Sequence, residues 1–334
     1  MIISRTPFRI SFFGGGTDYP AWYRDHGGAV LATSINKYCY ISVRYLPQFF
    51  DYKSRIVYSK IELVKSSEEV QHPAVRAALK YLKINEGIEI HHDGDLPART
   101  GLGSSSTFTV GLLHALYALS GRMASKMQLA RDAIHLEHDL LQETVGAQDQ
   151  VITAHGGLHR IDFAPDDTFS LSPLILKRDR LVSLQSHCML IFTGFTRIAS
   201  EIAAEQVKKT PQNASELKQM YEMVAAATRL LTGDGDLAEF GRLLHENWQL
   251  KRRLSSRVSS TEIDSIYEAG RAAGAIGGKI LGAGGGGFLL LFARPEDQPK
   301  IRAKLDKFLH VPFRFEALGS QIILYDGFEG SGTP

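Results

Sequence analysis

Residues 97–119 read PARTGLGSSSTFTVGLLHALYAL. Gly101, Gly103 and three consecutive serines, Ser104, Ser105 and Ser106, stand directly before an apolar run at helical spacing, Phe108, Leu112, Leu116 and Leu119. A glycine–serine loop opening a helix leaves backbone N–H groups unpaired at the positive end of the helix, where anions bind. The serine hydroxyls beside it can cap the helix or coordinate a magnesium ion carried in by a nucleotide. Taken alone, the stretch fits a capped helix after a flexible turn as well as it fits an anion cradle.

Upstream, residues 88–92 form a strand leading into the loop, and residues 73–82 form a helix. Residues 2–45 read as strands broken by turns. A short β-like run at 8–13 carries Arg9 and ends at Gly14-Gly15-Gly16-Thr17-Asp18; β-rich composition resumes at 29–35 and 38–45. Three glycines in a row allow close approach by a ligand. Asp18 fits either a cap for a short helix from Pro20 or a site acid.

Downstream, a second helix over 126–141 has an apolar stripe of Leu129, Ala130, Ala133, Ile134, Leu140 and Leu141, and Glu137 falls on that stripe. An unpaired buried carboxylate is expensive, so Glu137 needs a cation, a hydrogen-bonding partner or an opening to a cleft. In Val145-Gly146-Ala147-Gln148-Asp149-Gln150, Asp149 sits among small and apolar neighbours and makes a pair of inward carboxylates with Glu137. After a further strand at 158–163, an apolar strand at 186–192 begins a second domain. Helices follow near 197–208, 213–231, 236–254 and 261–273. The third of these carries Lys251-Arg252-Arg253, either a solvated helix end or a grip on an acidic substrate.

A third glycine-rich loop, GGKILGAGGGGF at 277–288, contains a GxGxxG match, but the LLLF that follows looks like a strand. A dinucleotide fingerprint requires strand, loop and then helix, so that reading fails. Glycine here lets the loop pack against another backbone or a ligand. A helix near 295–308 and strands near 311–317 and 321–325 complete the domain, and residues 329–334 read as a disordered tail. The expected division is 1–185 and 186–328.

The bulk numbers agree with this layout. A chain of 334 residues is long enough for two domains, and 44% hydrophobic with 22% charged residues is ordinary for a globular protein. A formal net charge of +2 leaves no footprint for nucleic acid or an anionic membrane, so any anion site must be built locally. Cys39 and Cys188 sit far apart in apolar runs and read as small buried hydrophobes. The first residues lack the pattern of a signal peptide, and no apolar run approaches the ~20 residues that span a bilayer. A cytoplasmic setting is expected, with a homodimer left open. The sequence contains no GxxxxGK[ST] loop, protein-kinase signature set, HExxH, G-x-S-x-G elbow or aromatic–basic nucleic-acid platform.

PFRISFFGGGTD, LPARTGLGSSS and KILGAGGGGF together resemble the three motifs of the GHMP kinases, the superfamily of galactokinase, homoserine kinase and mevalonate kinase, in the family's order. The resemblance implies an α+β, two-domain fold. The amino-terminal domain would be like the second domain of ribosomal protein S5 and the carboxy-terminal domain ferredoxin-like, with the active site between them. It implies that Gly101, Leu102, Gly103, Ser104, Ser105 and Ser106 wrap the ATP phosphates and that Ser105 and Glu137 hold Mg2+. It also implies that Asp149 acts as base for the acceptor hydroxyl and that Arg9 lies near the transferred phosphoryl. Asp18, with Gly15, Gly16 and Thr17, would meet a sugar, and Gly284 and Gly285 would line the substrate end. Ser106 departs from the family's usual alanine. Within the family the chain resembles the bacterial D-glycero-D-manno-heptose 7-phosphate kinases, through RISFFGGGTDYP, GGAVLATSINKY, GAQDQ and the Lys251-Arg252-Arg253-Leu254-Ser255 segment. A phosphorylated sugar would give Lys251 and Arg252 something to hold. A sugar kinase for galactose, fucose or arabinose, and a non-catalytic sensor on the same scaffold, are the competing expectations.

Overall fold

In the computed structural model, which describes residues 1–98, 100–194 and 199–326, strand β1 (Ile2–Phe13) pairs antiparallel with the long β2 (Gly28–Tyr45). The two strand runs expected at 29–35 and 38–45 are one continuous element. A short helix α1 (Pro20–His26) fills the turn between them. Around this spine a nine-stranded sheet forms from β3 (Ser54–Val57), β4 (Ile61–Val64), β5 (Ile88–Gly94), β6 (Leu158–Phe163) and β7 (Phe169–Pro173), with two late strands described below. Helix α2 (Pro73–Leu82) packs beside α3 (Ser104–Leu119). Helix α3 lies against β1 and β2 and is buried on nearly every side, as an almost uniformly apolar helix must be.

Helix α4 (Lys126–His135) starts at Ser125, whose side chain accepts from the Gln128 N–H at 3.1 Å. The single helix expected over 126–141 does not continue as such. Residues Leu136–Leu140 form a π-helical turn that bears Glu137, and α5 (Gln148–His155) follows. An inserted turn of this kind rotates the following side chains and often marks a functional site.

The second sheet has the order β11-β8-β10-β9, from β8 (Cys188–Phe192), β9 (Gly277–Ile280), β10 (Phe288–Phe292) and β11 (Leu309–His310). Helix α6 (Arg178–Ser186) leads into it. Helices α7 (Ala199–Lys208), α8 (Ala214–Thr232), α9 (Ala238–Arg253) and α10 (Thr261–Ala272) lie between its first and second strands, and α11 (Gln298–Lys304) between its third and fourth. This is the ferredoxin-like order. Strand β10 shows why its sequence, FLLLF, is apolar throughout. Phe288, Leu290 and Phe292 join the core shared with the first sheet, while Leu289 and Leu291 face a second core with Trp248 and Tyr267. Phe240 binds the two halves, with ring centroids 5.1 Å from Phe13 and 5.4 Å from Phe292.

The carboxy-terminal unit expected over 186–328 is not contiguous in space. Strand β12 (Phe315–Glu316) pairs with β2, and β13 (Gln321–Tyr325) pairs with β1 at the edge of the first sheet. An alternating strand sequence shows that a strand exists but not which edge it joins. Buried contacts select this one, among them Ser320 Oγ at 2.8 Å from Thr6 Oγ1. The expected tail at 329–334 lies outside the described residues. No helix among the described residues is long and apolar enough to cross a membrane, and both cysteines are free and buried.

Candidate active site

A cleft between the two sheets is lined by all three glycine-rich loops, by the start of α5, by Lys251 of α9 and by α7. Gly103 is the residue before α3, at φ 77°, and as a glycine it has no side chain with which to cap that helix. A helix opened by glycine in this way leaves its first backbone N–H groups without a cap from that residue, the condition an anion cradle requires. A Cβ on Gly103 would stand 3.0 Å from Asp149 Oδ2 and 3.3 Å from Arg9 Cγ, so the helix end opens directly onto those two side chains.

Arg9 and Asp149 form a two-pronged ion pair. Arg9 Nε donates to Oδ1 at 2.7 Å and Nη2 to Oδ2 at 2.8 Å, while Nη1 donates to the Gly101 carbonyl at 2.7 Å. Arg9 is buried, and its partner keeps one side toward the cleft. The guanidinium thus ties the base candidate to the phosphate-loop candidate. Leu102 is buried and faces away from the cleft; its carbonyl accepts from the Arg9 N–H at 3.2 Å and anchors the loop.

Three consecutive side chains at the start of α5 each hold one acidic or basic group of the site. Gln148 donates from Nε2 to Asp18 Oδ2 at 2.8 Å, Asp149 holds Arg9, and Gln150 donates to Glu137 Oε2. Asp18 does not cap α1; its other oxygen accepts from the Gly16 N–H at 2.9 Å. Burial, reinforced by the charge of Asp149, pushes the Asp18 carboxyl above its ordinary value. Gly146 makes room for it, since a Cβ there would sit 1.9 Å from Asp18 Oδ2.

Glu137 is fully buried on the π-helical turn. Its Oε2 accepts from Ser106 Oγ at 2.7 Å, and burial pushes its carboxyl up to about 7. Oε1 has no partner among the described residues. An orphaned carboxylate oxygen beside a helix end opened by glycine fits a divalent cation. Ser106, where the family usually has alanine, reaches back to Glu137, whereas Ser105 is exposed and lines the cleft.

Lys251 is buried and its Nζ donates to the Gly282 carbonyl. Burial and the nearby Arg9 charge push its ammonium down to about 8. Arg252, one position on, does not line the cleft but pairs with Asp264 at 2.5 Å, because successive helical residues point about 100° apart. Three other expected substrate residues also face elsewhere. Thr17 is buried and donates to the Gly14 and Ala29 carbonyls at 2.8 and 2.9 Å, holding the turn. Gly284 and Gly285 pack on Val258, whose carbonyl accepts from the Gly285 N–H at 2.8 Å. Their loop meets the cleft through Gly282 and Ala283 instead, and Gly282 lies so close to Gly101 that a Cβ on it would stand 2.5 Å from the Gly101 Cα. Gly15 and Gly16 do line the cleft, together with Ser11, Tyr19, Gln148 and Gln206, which the sequence reading did not single out. Ser11 was within reach of it, two residues beyond Arg9 on the same strand face. Gln206 carried no signal.

Comparison with known proteins gives the class to which this cleft belongs. Residues 69–157 match the GHMP kinases N terminal domain and residues 223–311 the GHMP kinases C terminal domain. The chain belongs to the GHMP kinases and is an enzyme of that superfamily. It is 27% identical to the D-glycero-alpha-D-manno-heptose 7-phosphate kinase of Campylobacter jejuni, over 92% of this chain and 93% of that protein. It is 29% identical to the L-fucokinase/L-fucose-1-P guanylyltransferase of Bacteroides fragilis, over 90% of this chain and 36% of that larger protein. The crystal structure of a D-glycero-D-manno-heptose 1-phosphate kinase from Bacteroides thetaiotaomicron shares the fold, with a TM-score of 0.78, 23% identity and coverage of 96% and 98% of the two chains.

Proposed function

We propose that this protein is a magnesium-dependent kinase that transfers the γ-phosphoryl group of ATP to the anomeric hydroxyl of D-glycero-D-manno-heptose 7-phosphate, giving the 1,7-bisphosphate. The observation that carries the phosphoryl-transfer chemistry is the Arg9–Asp149 pair set against the glycine-opened end of α3. The heptose rests on full-length similarity to a heptose 7-phosphate kinase and on Lys251, a buried cation lining the cleft and suited to a substrate phosphate.

The N–H groups opening α3 bind the phosphates, Ser105 and Glu137 would hold the metal, and Asp18 accepts from a sugar hydroxyl. Magnesium, when bound, neutralises charge on the β- and γ-phosphates. The acceptor oxygen bonds to the γ-phosphorus as the bond to the bridging oxygen breaks, ADP leaves with that electron pair, and Asp149 takes the hydroxyl proton. Arg9 orients Asp149 and offsets charge on the transferring group. The reading is tested by comparing kcat/KM for heptose 7-phosphate, unphosphorylated heptose, galactose and fucose. A clear preference for heptose 7-phosphate supports it; equal or better use of a free sugar overturns the substrate.

Two predictions bear on the cations. Glu137→Gln should raise the magnesium concentration needed for half-maximal rate by about 10- to 100-fold; an unchanged magnesium titration argues against the ligand role. Lys251→Met should do opposite things to stability and function. The lysine's lowered value means that its buried charge costs stability below pH 8, and that this cost fades as pH rises from about 8 toward the ordinary lysine range. The variant should therefore be more stable than wild type at pH 7, on the order of 2 kcal/mol by thermal or urea unfolding. It should also lack the wild-type rise in stability above pH 8 and bind the phosphorylated acceptor more weakly. A less stable variant at pH 7 contradicts this.

A further inference from the structure

Two buried polar atoms of residues that line the cleft have no partner among the described residues and no part in the chemistry above: Ser11 Oγ and Gln148 Oε1. Both residues are over nine-tenths buried, with relative exposures of 4% and 7%. An unpaired buried hydroxyl or amide oxygen costs free energy that a folded protein normally avoids. The orientation of Gln148 follows from Asp18, whose carboxylate takes the amide N–H and leaves the amide oxygen facing away from it. Ser11 is fixed by alternation, since Arg9 and Ser11 point to the same side of β1.

Gly15 lies between them. A Cβ on this glycine would meet only Gln148 Nε2 and Ser11 Oγ within 4 Å, each at 3.7 Å. Its φ is not in the left-handed region, so no backbone demand excludes a side chain. The glycine leaves open a small space flanked by one hydroxyl and one amide.

We propose that Ser11 and Gln148, across the gap left by Gly15, form a hydroxyl-reading subsite that selects the acceptor. Gln148 Oε1 accepts from one acceptor hydroxyl and Ser11 Oγ exchanges a hydrogen bond with the same or a neighbouring one, while Asp18 holds another. The subsite rests on the sugar-kinase reading and adds the residues that discriminate among polyhydroxylated acceptors. It also assigns Gln148 two tasks, positioning Asp18 through its amide N–H and reading substrate through its oxygen.

The test uses the full chain, with the acceptor that wild type phosphorylates and the set of its monodeoxy analogues. Gly15→Ala puts a methyl group into the gap without a protein clash. It should raise the KM for acceptor about 10-fold or more, with the KM for ATP and the melting temperature unchanged. Ser11→Ala removes an unpaired buried hydroxyl, so the melting temperature should hold or rise while the acceptor KM rises about 3- to 10-fold. One deoxy analogue should be used equally well by wild type and Ser11→Ala, identifying the hydroxyl that is read. If wild type phosphorylates a sugar but both variants keep the wild-type acceptor KM, the subsite is wrong and the kinase reading stands. A lower melting temperature for Ser11→Ala with equal losses on every analogue makes Ser11 structural and also overturns the subsite. If wild type phosphorylates no sugar or sugar phosphate, the proposed function and the subsite fall together.

Discussion

Asp149→Asn is expected to lower kcat by about 10²- to 10⁴-fold, the usual contribution of a general base. The substitution keeps the size of the side chain and one oxygen for Arg9 but removes the proton acceptor. Arg9 still donates to the Gly101 carbonyl and still has its backbone bond to Leu102, so the phosphate loop keeps its anchor. Nucleotide affinity by calorimetry should therefore stay within about threefold of wild type, since the loss lies in the transition state. Wild-type turnover in this variant contradicts the assignment. A fall in nucleotide affinity as large as the fall in rate makes the pair a structural clamp.

The other large effect is expected at Gly146. A methyl group there would occupy the position of the Asp18 carboxylate, 1.9 Å from Oδ2. Asp18 has a short side chain held by Gly16 and Gln148, so it can make room only by leaving both partners and its place in the cleft. Gly146→Ala should therefore cost kcat/KM for the acceptor about 10- to 100-fold, the value of a hydrogen bond to a charged group, and leave nucleotide affinity in place. Asp18→Asn separates position from charge. If Gly146→Ala is harmless while Asp18→Asn is damaging, the packing argument fails.

The loops were legible because glycine and serine in sequence report backbone chemistry directly. Gly101 to Ser106 and the helix after it stand where the spacing puts them. Glu137 was legible as an acid on an apolar stripe, but the π-helical turn beneath it was not, since helical periodicity carries no mark of one inserted residue. Asp149 was found, yet its neighbours Gln148 and Gln150 were not, because neutral amides give no charge to question until their partners are seen. Of two adjacent basic residues only Lys251 enters the cleft, a choice made by the rotation of α9 against the second sheet. Glycine is ambiguous in the same way. Gly284 and Gly285 serve packing against Val258, whereas Gly282 touches the phosphate loop.

Phosphorylation of an anomeric sugar hydroxyl in this cleft, as proposed, can be observed on the product itself. The direct measurement is incubation of the purified protein with ATP, magnesium and synthetic D-glycero-D-manno-heptose 7-phosphate, followed by phosphorus and proton NMR of the product. The proposal predicts stoichiometric ADP and a second phosphate whose phosphorus couples to the anomeric proton. A phosphate on any other carbon, or no phosphorylated product, would contradict it.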